Sequence, residues 1–424
     1  MNYTIKSGNK IIGSLSVPGD KSISHRALML GAIAKGETQI INLSSGRDVV
    51  ATWNCLAQLG IKIEKKNNRT HVHGKGLYGL ISPKKILNAE NSGTTMRLLS
   101  GILAGQPFES TITGDNSLKK RPMTRIIQPL TLMGAKIESN NGKAPLKIKG
   151  GKLKGIKYKS PIASAQVKSS LLLAGLYASG KTSVEEPFQS RDHTERMLSH
   201  FGVTVKKNNL KIEINGPAEF MASSINVPGD ISSAAFFMVA ASIVPGSKIL
   251  IPGVGINPTR RSIIDVLKKM GAKIKEENKG EENLEPTADI TVESSQLRSI
   301  KISGAVIPGI IDEIPILAVA ATQAEGETII RDARELRFKE SDRIKTVTKN
   351  LRKMGAKLEE LDDGFIIPGP QKLKGAVVES FGDHRIAIAF SIAGLIAEGE
   401  TTIRETECVE ISFPGFFETL TKLL

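Results

Sequence analysis

Basic residues stand at the predicted starts of several helices, where a positive charge is normally unfavourable. A helix N-terminus carries a partial positive charge and its free N–H groups bind anions, so a base there indicates an anionic ligand. Five segments have this pattern: Lys21-Ser22-Ile-Ser-His25-Arg26, Lys119-Lys120-Arg121-Pro122, Arg191-Asp-His193-Thr-Glu-Arg196, Arg337-Phe-Lys339-Glu340-Ser-Asp342-Arg343 and Asp383-His384-Arg385. Each segment alone is typical of a solvated helix cap, but the five together favour a shared site for anions.

Spacing within these segments predicts which side chains act together. Ser22 and Arg26 are four positions apart, as are Lys339 and Arg343, so each pair is predicted to share a helix face. Gly93, in Asn91-Ser-Gly-Thr94, has no side chain and would let the backbone approach a ligand closely.

The overall charge also favours an anionic partner. The 424 residues include 58 Lys and Arg against 43 Asp and Glu, a net charge of +15 at pH 7. Nucleic acid, an acidic membrane surface or small anionic substrates would suit this charge, although a lysine-rich solvated surface would give the same balance. Aromatic residues make up only 4% of the chain and the bases do not form one stripe, so nucleic acid is disfavoured.

Several common kinds of site are missing from the sequence. It has no phosphate-binding Gly-x-x-x-x-Gly-Lys-[Ser/Thr] loop, no dinucleotide-binding Gly-x-Gly-x-x-Gly and no His-Glu-x-x-His, so we expect neither a cofactor nor a metal. The two cysteines, Cys55 and Cys408, exclude a disulfide framework and are expected to be inert thiols. No apolar run approaches the roughly 18 residues of a membrane span. We expect a cytoplasmic protein without membrane or nucleic-acid partners.

A repeat organises the elements that carry these residues. A large apolar residue, a glycine and a strand-like run recur five times: Leu59-Gly-Ile-Lys-Ile63, Met133-Gly-Ala-Lys-Ile137, Phe201-Gly-Val-Thr-Val205, Met270-Gly-Ala-Lys-Ile274 and Met354-Gly-Ala-Lys-Leu358. Each unit predicts an apolar helix, a strand, a second helix that ends at this Leu/Met-Gly tag, and a strand hairpin. The units begin near residues 20, 91, 164, 228, 309 and 382.

The first unit shows the pattern in detail. Ile23, Ala27, Leu30 and Ala34 line one helix face, and Gly36 is predicted to be the glycine that follows the helix end. Six such units in two groups of three would form two similar α/β domains. An all-helical array is the weaker alternative, because Ile/Val/Thr alternations between the helices are strand-like. The repeat does not show where one domain ends.

The chain resembles the enolpyruvyl transferase family. The segments that carry the resemblance span nearly the whole chain: Gly19-Asp-Lys21-Ser-Ile-Ser-His-Arg26, Asn91-Ser-Gly-Thr94, Gly114 to Met123, Ser164-Ala-Gln166, Ser190 to Arg196, Ile311-Asp312-Glu, Arg337 to Arg343 and Gly382-Asp-His384-Arg385. The resemblance implies an inverse α/β barrel in two domains, each with three βαβαββ repeats. It places 1–19 with 228–424 in one domain and 20–227 in the other, with the active-site cleft between them, and it implies a monomer.

The resemblance also implies substrates and ligand roles. The substrates would be shikimate 3-phosphate and phosphoenolpyruvate. Residues implied to bind shikimate 3-phosphate are Lys21, Ser22, Arg26, Ser164, Ala165, Gln166, Arg191, Asp312 and Lys339. Residues implied to bind phosphoenolpyruvate are Lys21, Asn91, Gly93, Thr94, Arg121, Gln166, Arg343, His384 and Arg385. The implied catalytic groups are Asp312, Glu340 and Lys21.

Physical reasoning agrees with proton chemistry at the two carboxylates. Attack of a hydroxyl on C2 of phosphoenolpyruvate with protonation of C3 requires a base and an acid. A carboxylate among bases that hold anions weakens binding, so its presence there indicates a role in proton transfer. Asp312 is predicted to begin a helix, where an N-cap role is the ordinary alternative. Glu340 is predicted to begin the next helix, where a salt bridge is the alternative.

Some positions depart from the family's best-known branch. Ala165 replaces a serine, Leu98 a proline and Glu410 a lysine, which resembles a second branch linked to herbicide tolerance. No ligand role is expected for Glu410. The branch that uses UDP-N-acetylglucosamine has a reactive cysteine in the loop before its Arg-Pro pair, whereas the loop 115–122 here has none. Transfer to shikimate 3-phosphate is therefore favoured.

Overall fold

The computed structural model describes residues 1–424 and divides them into two compact units. Unit 1 consists of Met1–Pro18, Pro228–Gly280 and Pro286–Leu424, and unit 2 of Gly19–Val227 and Glu281–Glu285. Each unit has its own hydrophobic core. Helices and strands alternate in both units, so the predicted α/β class is confirmed.

The chain begins with two strands of unit 1, β1 (Asn2–Lys6) and β2 (Ile12–Ser14). The helices of unit 2 are α1 (Lys21–Ile33), α2 (Arg47–Gln58), α3 (Gly93–Ala104), α4 (Thr124–Leu132), α5 (Ala165–Gly175) and α6 (His193–His200). Its strands are β3 (Lys35–Ile41), β4 (Lys62–Lys66), β5 (Arg69–Lys75), β6 (Leu87–Asn88), β7 (Glu109–Thr113), β8 (Lys136–Asn140), β9 (Lys143–Lys149), β10 (Lys157–Lys159), β11 (Gly180–Glu185), β12 (Val205–Asn208), β13 (Lys211–Gly216) and β14 (Ile225–Asn226).

The rest of unit 1 follows. Its helices are α7 (Ile231–Ile243), α8 (Ser262–Lys269), α9 (Ile307–Ile310), α10 (Ile314–Ala321), α11 (Arg343–Lys353), α12 (His384–Gly394) and α13 (Phe416–Thr421). Its strands are β15 (Lys248–Gly255), β16 (Lys273–Glu282), β17 (Glu285–Glu293), β18 (Lys301–Ile302), β19 (Gly326–Ile330), β20 (Glu359–Leu361), β21 (Gly364–Gly369), β22 (Val377–Glu379) and β23 (Glu400–Arg404). Short 3-10 segments lie at Leu118–Lys120, Gly304–Val306, Arg334–Phe338 and Thr406–Ile411.

Six small sheets match the six predicted repeats, three in each unit. Unit 2 contains β14-β3-β5-β4, β6-β7-β9-β8 and β10-β11-β13-β12, and unit 1 contains β16-β17-β15-β2, β18-β19-β21-β20 and β1-β23-β22. One edge pair of every sheet is parallel, and a parallel pair needs a crossover connection. In four of the six sheets a buried helix makes this crossover, as α3 does between β6 and β7.

The first helix of each repeat lies inside its unit. Every residue of α7, α10 and α12 is buried, and α1, α3 and α5 are buried over most of their length. Helices that are apolar on all sides require such an interior position. The openings of these helices therefore carry the polar residues of each repeat, while their bodies form the core.

The tag glycines end the second helices. Each follows the C-cap residue of α2, α4, α6, α8 or α11, and each has a positive φ between 82° and 107°: Gly60, Gly134, Gly202, Gly271 and Gly355. This is the position at which glycine is preferred after a helix. The prediction for Gly36 was wrong, because α1 ends at Ile33 and Gly36 lies within β3.

The hairpin of β16 and β17 changes the division predicted from sequence. Its tip, 281–285, belongs to unit 2 although 228–424 was assigned to the other domain. The Glu285 carboxylate lies 2.7 Å from Nδ1 of His193, and Arg196 donates to the carbonyl of Leu284 at 2.6 Å. These polar contacts with α6 make the tip part of unit 2.

Helix length and apolar composition indicate whether a helix could cross a membrane. No single helix is both long and apolar enough to cross a membrane. A pair bent by 110°, Gly304–Ile310 with Ile314–Ala321, passes by length and composition alone, and its second member is wholly buried α10.

Candidate active site

The opening of α1 brings together several predicted ligand-binding residues of unit 2. Asp20 caps the helix by accepting from the N–H of Ile23 at 2.8 Å, which makes Lys21 the first helical residue. The Lys21 ammonium lies 2.9 Å from a carboxylate oxygen of Asp48. Arg191, which precedes α6, donates to Oγ of Ser22 at 3.4 Å. With Arg26, these residues give three bases, Lys21, Arg26 and Arg191, around the start of α1.

Arg26 is buried and held by three bonds. Its Nη1 donates to the carbonyl of Ser22 at 2.8 Å, which confirms that these two positions share a helix face. Its Nε donates to Thr194 Oγ1 at 2.6 Å and its Nη2 to Ser169 Oγ at 2.7 Å. Burial lowers the pKa of Arg26 to about 10. The hydrogen-bond partners of this guanidinium are all neutral oxygens, so an incoming carboxylate would form a stronger, charge-assisted bond with it.

The opening of α3 forms a second group of predicted ligand-binding residues. Asn91 accepts from Nη2 of Arg121 at 2.7 Å and donates to Asp115 at 2.7 Å. A Cβ built on Gly93 would lie 2.7 Å from Nη1 of Arg97 and 3.5 Å from Nη1 of Arg121. Two guanidiniums therefore approach a helix N-terminus whose first residue lacks a side chain. This combination suits a phosphate.

Gln166 joins this group from α5. Its amide oxygen accepts from Nη1 of Arg97 at 2.6 Å, and its amide nitrogen donates to Oγ1 of Thr94 at 3.0 Å. Gln166 follows Ser164, the N-cap of α5, and Ala165, its first residue. The free N–H groups of this turn, with two hydroxyl or amide side chains beside it, also suit an oxyanion.

In unit 1, one buried arginine gathers three carboxylates. Arg343 is 1% exposed and donates from Nε to Asp383 at 2.8 Å and from Nη1 to Asp312 at 3.2 Å. Its Nη2 donates to Glu340 at 2.6 Å and to Asp383 at 3.2 Å. We call these four residues the Arg343 cluster. Burial alone would lower the pKa of Arg343, but the charges of Asp383, Glu340 and Asp312 raise it above its usual value.

The local structure around the two predicted catalytic carboxylates differs from expectation. Glu340 does not begin a helix, since α11 starts at Arg343 with Asp342 as its N-cap. Asp312 lies between α9 and α10, and the N-cap of α10 is Glu313. The N-cap alternative for Asp312 is therefore excluded, whereas the salt-bridge alternative for Glu340 is observed.

Lys339 also lies outside α11, with extended backbone, so the prediction that it shares a helix face with Arg343 was wrong. The two bases nevertheless converge, because Lys339 Nζ lies 3.1 Å from the same Asp312 oxygen that Arg343 contacts. The lysine chain is long enough to reach Asp312 from the preceding turn. Tertiary contact here replaces the helical spacing that the sequence indicated.

The opening of α12 completes the group in unit 1. His384 and Arg385 are its first two residues, and Asp383 caps the helix by accepting from the N–H of Arg385 at 3.0 Å. Arg385 Nη1 donates to the backbone carbonyl of Asp312 at 3.0 Å, and His384 is 2% exposed. Asp312 thus has bases on several sides.

Sequence reasoning missed three residues that the structure places beside these groups. Arg97 lies next to Gly93 and Gln166, Asp48 holds Lys21, and Asp383 holds Arg343. A signal existed for Arg97, which follows Gly93 by one helical turn, and for Asp383, which adjoins His384. Nothing in the sequence pointed to Asp48, because its relation to Lys21 depends on how α1 and α2 pack.

The remaining sequence predictions concern cysteines and metals. Both cysteines are buried and unpaired, and burial raises the pKa of the Cys55 thiol to about 12 and of the Cys408 thiol to about 11. No group of three or more His, Cys, Asp or Glu side chains is arranged to hold a metal ion. His71 and His73 lie on β5 and contact Glu37 and Glu64.

Comparison with known proteins identifies the family. The sequence pattern of the family described as "EPSP synthase (3-phosphoshikimate 1-carboxyvinyltransferase)" matches residues 5–420. A protein of Thermoanaerobacter sp. (strain X514) named 3-phosphoshikimate 1-carboxyvinyltransferase is 55% identical over 424 residues, 100% of both chains. A protein of the same name from Brevibacillus brevis is 53% identical and covers 99% of both chains.

A solved structure agrees with this assignment. The structure of EPSP synthase from Acinetobacter baumannii is 48% identical to this chain, covers 100% of it and 98% of its own chain, and has a TM-score of 0.89. Identity of this level over the full length shows common descent as well as a common fold. The chain belongs to the EPSP synthase family of enolpyruvyl transferases.

Proposed function

We propose that this chain transfers the enolpyruvyl group of phosphoenolpyruvate to the 5-hydroxyl of shikimate 3-phosphate and releases phosphate. This is the activity that the names of its full-length relatives denote, within the shikimate pathway to aromatic amino acids. Both substrates carry a phosphate and a carboxylate, and both units carry bases near helix openings to match them. The proposal makes the chain a transferase that needs no covalent nucleophile.

The observation that carries the proposed chemistry is the pairing of Asp312 and Glu340 on one guanidinium. Both carboxylates lie within hydrogen-bond distance of Arg343, at 3.2 and 2.6 Å. Four of the five N–H groups of Arg343 are engaged by carboxylates. A phosphoenolpyruvate anion that binds Arg343 therefore competes with a carboxylate, and the displaced carboxylate becomes available to exchange a proton.

The reaction needs one base and one acid. The base removes the proton of the 5-hydroxyl as the oxygen attacks C2 of phosphoenolpyruvate, and the acid protonates C3 to give a tetrahedral adduct. The C2–O bond to phosphate then breaks, C3 loses a proton, and the enolpyruvyl ether and phosphate leave. We assign these proton transfers to Asp312 and Glu340, and assign to Lys21 stabilisation of the departing phosphate.

Binding roles follow from the groups around each helix opening. We assign shikimate 3-phosphate to Lys21, Ser22, Arg26, Ser164, Ala165, Gln166, Arg191, Asp312 and Lys339. Ala165 can contribute only its backbone N–H, which the first turn of α5 leaves without an intrahelical partner. We assign phosphoenolpyruvate to Lys21, Asn91, Gly93, Thr94, Arg121, Gln166, Arg343, His384 and Arg385. Arg97 joins the second set because its guanidinium lies beside Gly93.

We further propose that the protein acts as a monomer in the cytoplasm. The two buried, unpaired cysteines are compatible with a reducing compartment. Sedimentation equilibrium of the purified protein tests the first point, since a species heavier than 45.6 kDa would contradict it. Cell fractionation tests the second point.

Phosphate release tests the proposed function directly. Purified protein with phosphoenolpyruvate should release phosphate when shikimate 3-phosphate is added. It should release none when UDP-N-acetylglucosamine replaces that acceptor. Release with UDP-N-acetylglucosamine alone would assign the chain to the other branch of the family, and release with neither acceptor would refute the enolpyruvyl transfer.

A further inference from the structure

A lysine lies completely inside unit 2, in the middle of an apolar helix. Lys168 of α5 is 1% exposed and is followed by the fully buried run Ser169–Gly175. Its ammonium lies 2.8 Å from Glu186 and 2.8 Å from Glu195, whose side chains are 2% and 6% exposed. Burial would lower the pKa of Lys168, but the charges of Glu195 and Glu186 raise it, so the lysine is charged.

Stability alone is a weak reason for this buried charge. Replacing a buried ion pair or triad with apolar residues of similar volume is often neutral or stabilising, because desolvation offsets the attraction. An apolar residue at position 168 would also continue the surrounding pattern of Val167 and Leu171. The triad therefore needs a reason beyond the energy of the fold.

One carboxylate of the triad holds the opening of α5. Glu186 Oε1 accepts from the backbone N–H of Ser164 at 2.9 Å, and its Oε2 accepts from Ser190 Oγ at 2.7 Å. Ser164 is the N-cap of α5, and Ser190 precedes Arg191. Lys168 neutralises Glu186 from within the helix, so two segments that contain proposed ligand residues, the opening of α5 and the segment of Ser190 and Arg191, meet at one carboxylate.

The second carboxylate partner of Lys168, Glu195, lies next to residues that hold Arg26. Thr194 precedes Glu195 and Ser169 follows Lys168 in the chain, and the hydroxyls of Thr194 and Ser169 lie 2.6 Å apart. Both hydroxyls accept from the guanidinium of Arg26, at 2.6 and 2.7 Å. The ion pair of Lys168 and Glu195 therefore joins α5 to α6 at the level where these helices hold Arg26.

We propose that Lys168 is a positioning residue for shikimate 3-phosphate, acting through Glu186 on Ser164 and through Glu195 on the hydroxyl pair that holds Arg26. This inference rests on the function proposed above. Lys168 does not touch the substrate, since it lies beneath the first turn of α5 and is buried. Its charge keeps two separate substrate contacts, a phosphate-binding helix opening and a carboxylate-binding arginine, at a fixed spacing.

The test is a charge-balanced double variant, Lys168→Met with Glu195→Gln. It removes one positive and one negative charge and leaves Glu186 without its cation. The equilibrium dissociation constant of shikimate 3-phosphate should rise about tenfold or more, the effect of one lost charge-assisted hydrogen bond. The KM for phosphoenolpyruvate at saturating shikimate 3-phosphate should change much less, because Gln166 is the only one of its proposed ligands on α5, and general loosening would not produce this separation.

Leu173→Ala in the same helix is the matched control. Leu173 is 1% exposed and belongs to the core of unit 2, so its truncation should lower the melting temperature without changing either substrate's affinity. If the double variant folds and binds shikimate 3-phosphate as the wild type does, the proposal is wrong. The proposal is equally wrong if the control weakens shikimate 3-phosphate binding as much as the double variant.

A second variant decides the question if the double variant does not fold. Glu186→Gln keeps the side-chain shape and leaves Lys168 paired with Glu195, but its neutral amide holds the Ser164 N–H more weakly. Shikimate 3-phosphate affinity should fall, and an unchanged affinity would overturn the proposal. Wild-type protein that binds no shikimate 3-phosphate would instead refute the proposed function, so the two failures are distinguishable.

Discussion

Replacing Asp312 with asparagine removes one of the three carboxylates around Arg343 and keeps the side-chain shape. The variant also removes the carboxylate partner of Lys339, which lies 3.1 Å away. If Asp312 transfers a proton during the reaction, turnover should fall by roughly two to four orders of magnitude. That loss corresponds to about 3–5 kcal/mol of barrier height.

The expected loss of stability is much smaller. Arg343 keeps its bonds to Asp383 and Glu340, at 2.8 and 2.6 Å, so it is not left as an unpaired buried charge. Lys339 is partly exposed and can be hydrated. We therefore expect a loss of about 1 kcal/mol, near the usual value for one hydrogen bond. For a unit of this size that lowers the melting temperature by roughly 2–4 °C.

Steady-state phosphate release and thermal unfolding separate these two effects. The KM for each substrate should hold or fall, because a negative charge has been removed from a site that binds anions. Asp342→Asn is the matched control: Asp342 caps α11 and pairs with Arg337 at 2.9 Å. That variant keeps a good helix cap, since asparagine caps about as well as aspartate, so it should lose at most about 1 kcal/mol of stability through the ion pair with Arg337 and keep its turnover.

Two results would refute the catalytic role of Asp312. Turnover within tenfold of wild type, together with a higher KM or a lower melting temperature, would show that Asp312 serves only as an ion-pair partner. A similar loss of turnover in Asp342→Asn would show that any disturbance of this region inactivates the protein. Glu340→Gln, measured alongside, should also lose turnover, since it shares Arg343 with Asp312.

Three further predictions concern thiols, the α3 opening and acid stability. Iodoacetamide should leave turnover intact, because burial raises the pKa of both Cys55 and Cys408, and substrate-protected inactivation would contradict this. Gly93→Ala should raise the KM for phosphoenolpyruvate, because its Cβ would lie 2.7 Å from Arg97 Nη1; an unchanged KM would disprove the placement. Burial lowers the pKa of His25 well below 6.5 in the folded protein. Below about pH 6.5 the unfolded chain therefore binds a proton at His25 that the folded protein does not bind, and the free energy of unfolding falls as the pH drops. Between pH 7 and 5 the melting temperature of the wild type should therefore fall further than that of His25→Asn, and an equal fall in both proteins would exclude this explanation.

Much of the fold was predictable because its signals are local. The five tag glycines adopt the positive φ expected after a helix end, and the apolar helices between them are the buried ones. Helix periodicity and end signals depend on residues within a few positions of each other. Gly36 is the exception, since pairing of β3 with β5 extends the strand back over the position where a helix end was expected. The roles of individual site residues stay predictions until they are tested.

The sequence by itself determined the repeat, the α/β class, the family and most of the helix openings that carry bases; Lys119 and Lys120 lie instead in the 3-10 segment Leu118–Lys120, before α4 begins at Thr124. The partners of those bases were decided only by tertiary structure, because Arg343 meets Asp312 and Asp383 across 31 and 40 positions of chain. The lysine at position 168 of an apolar helix is explained only by the tertiary structure, which brings Glu186 and Glu195 beside its ammonium. Contacts between distant residues depend on how whole helices pack, and no local spacing encodes that packing.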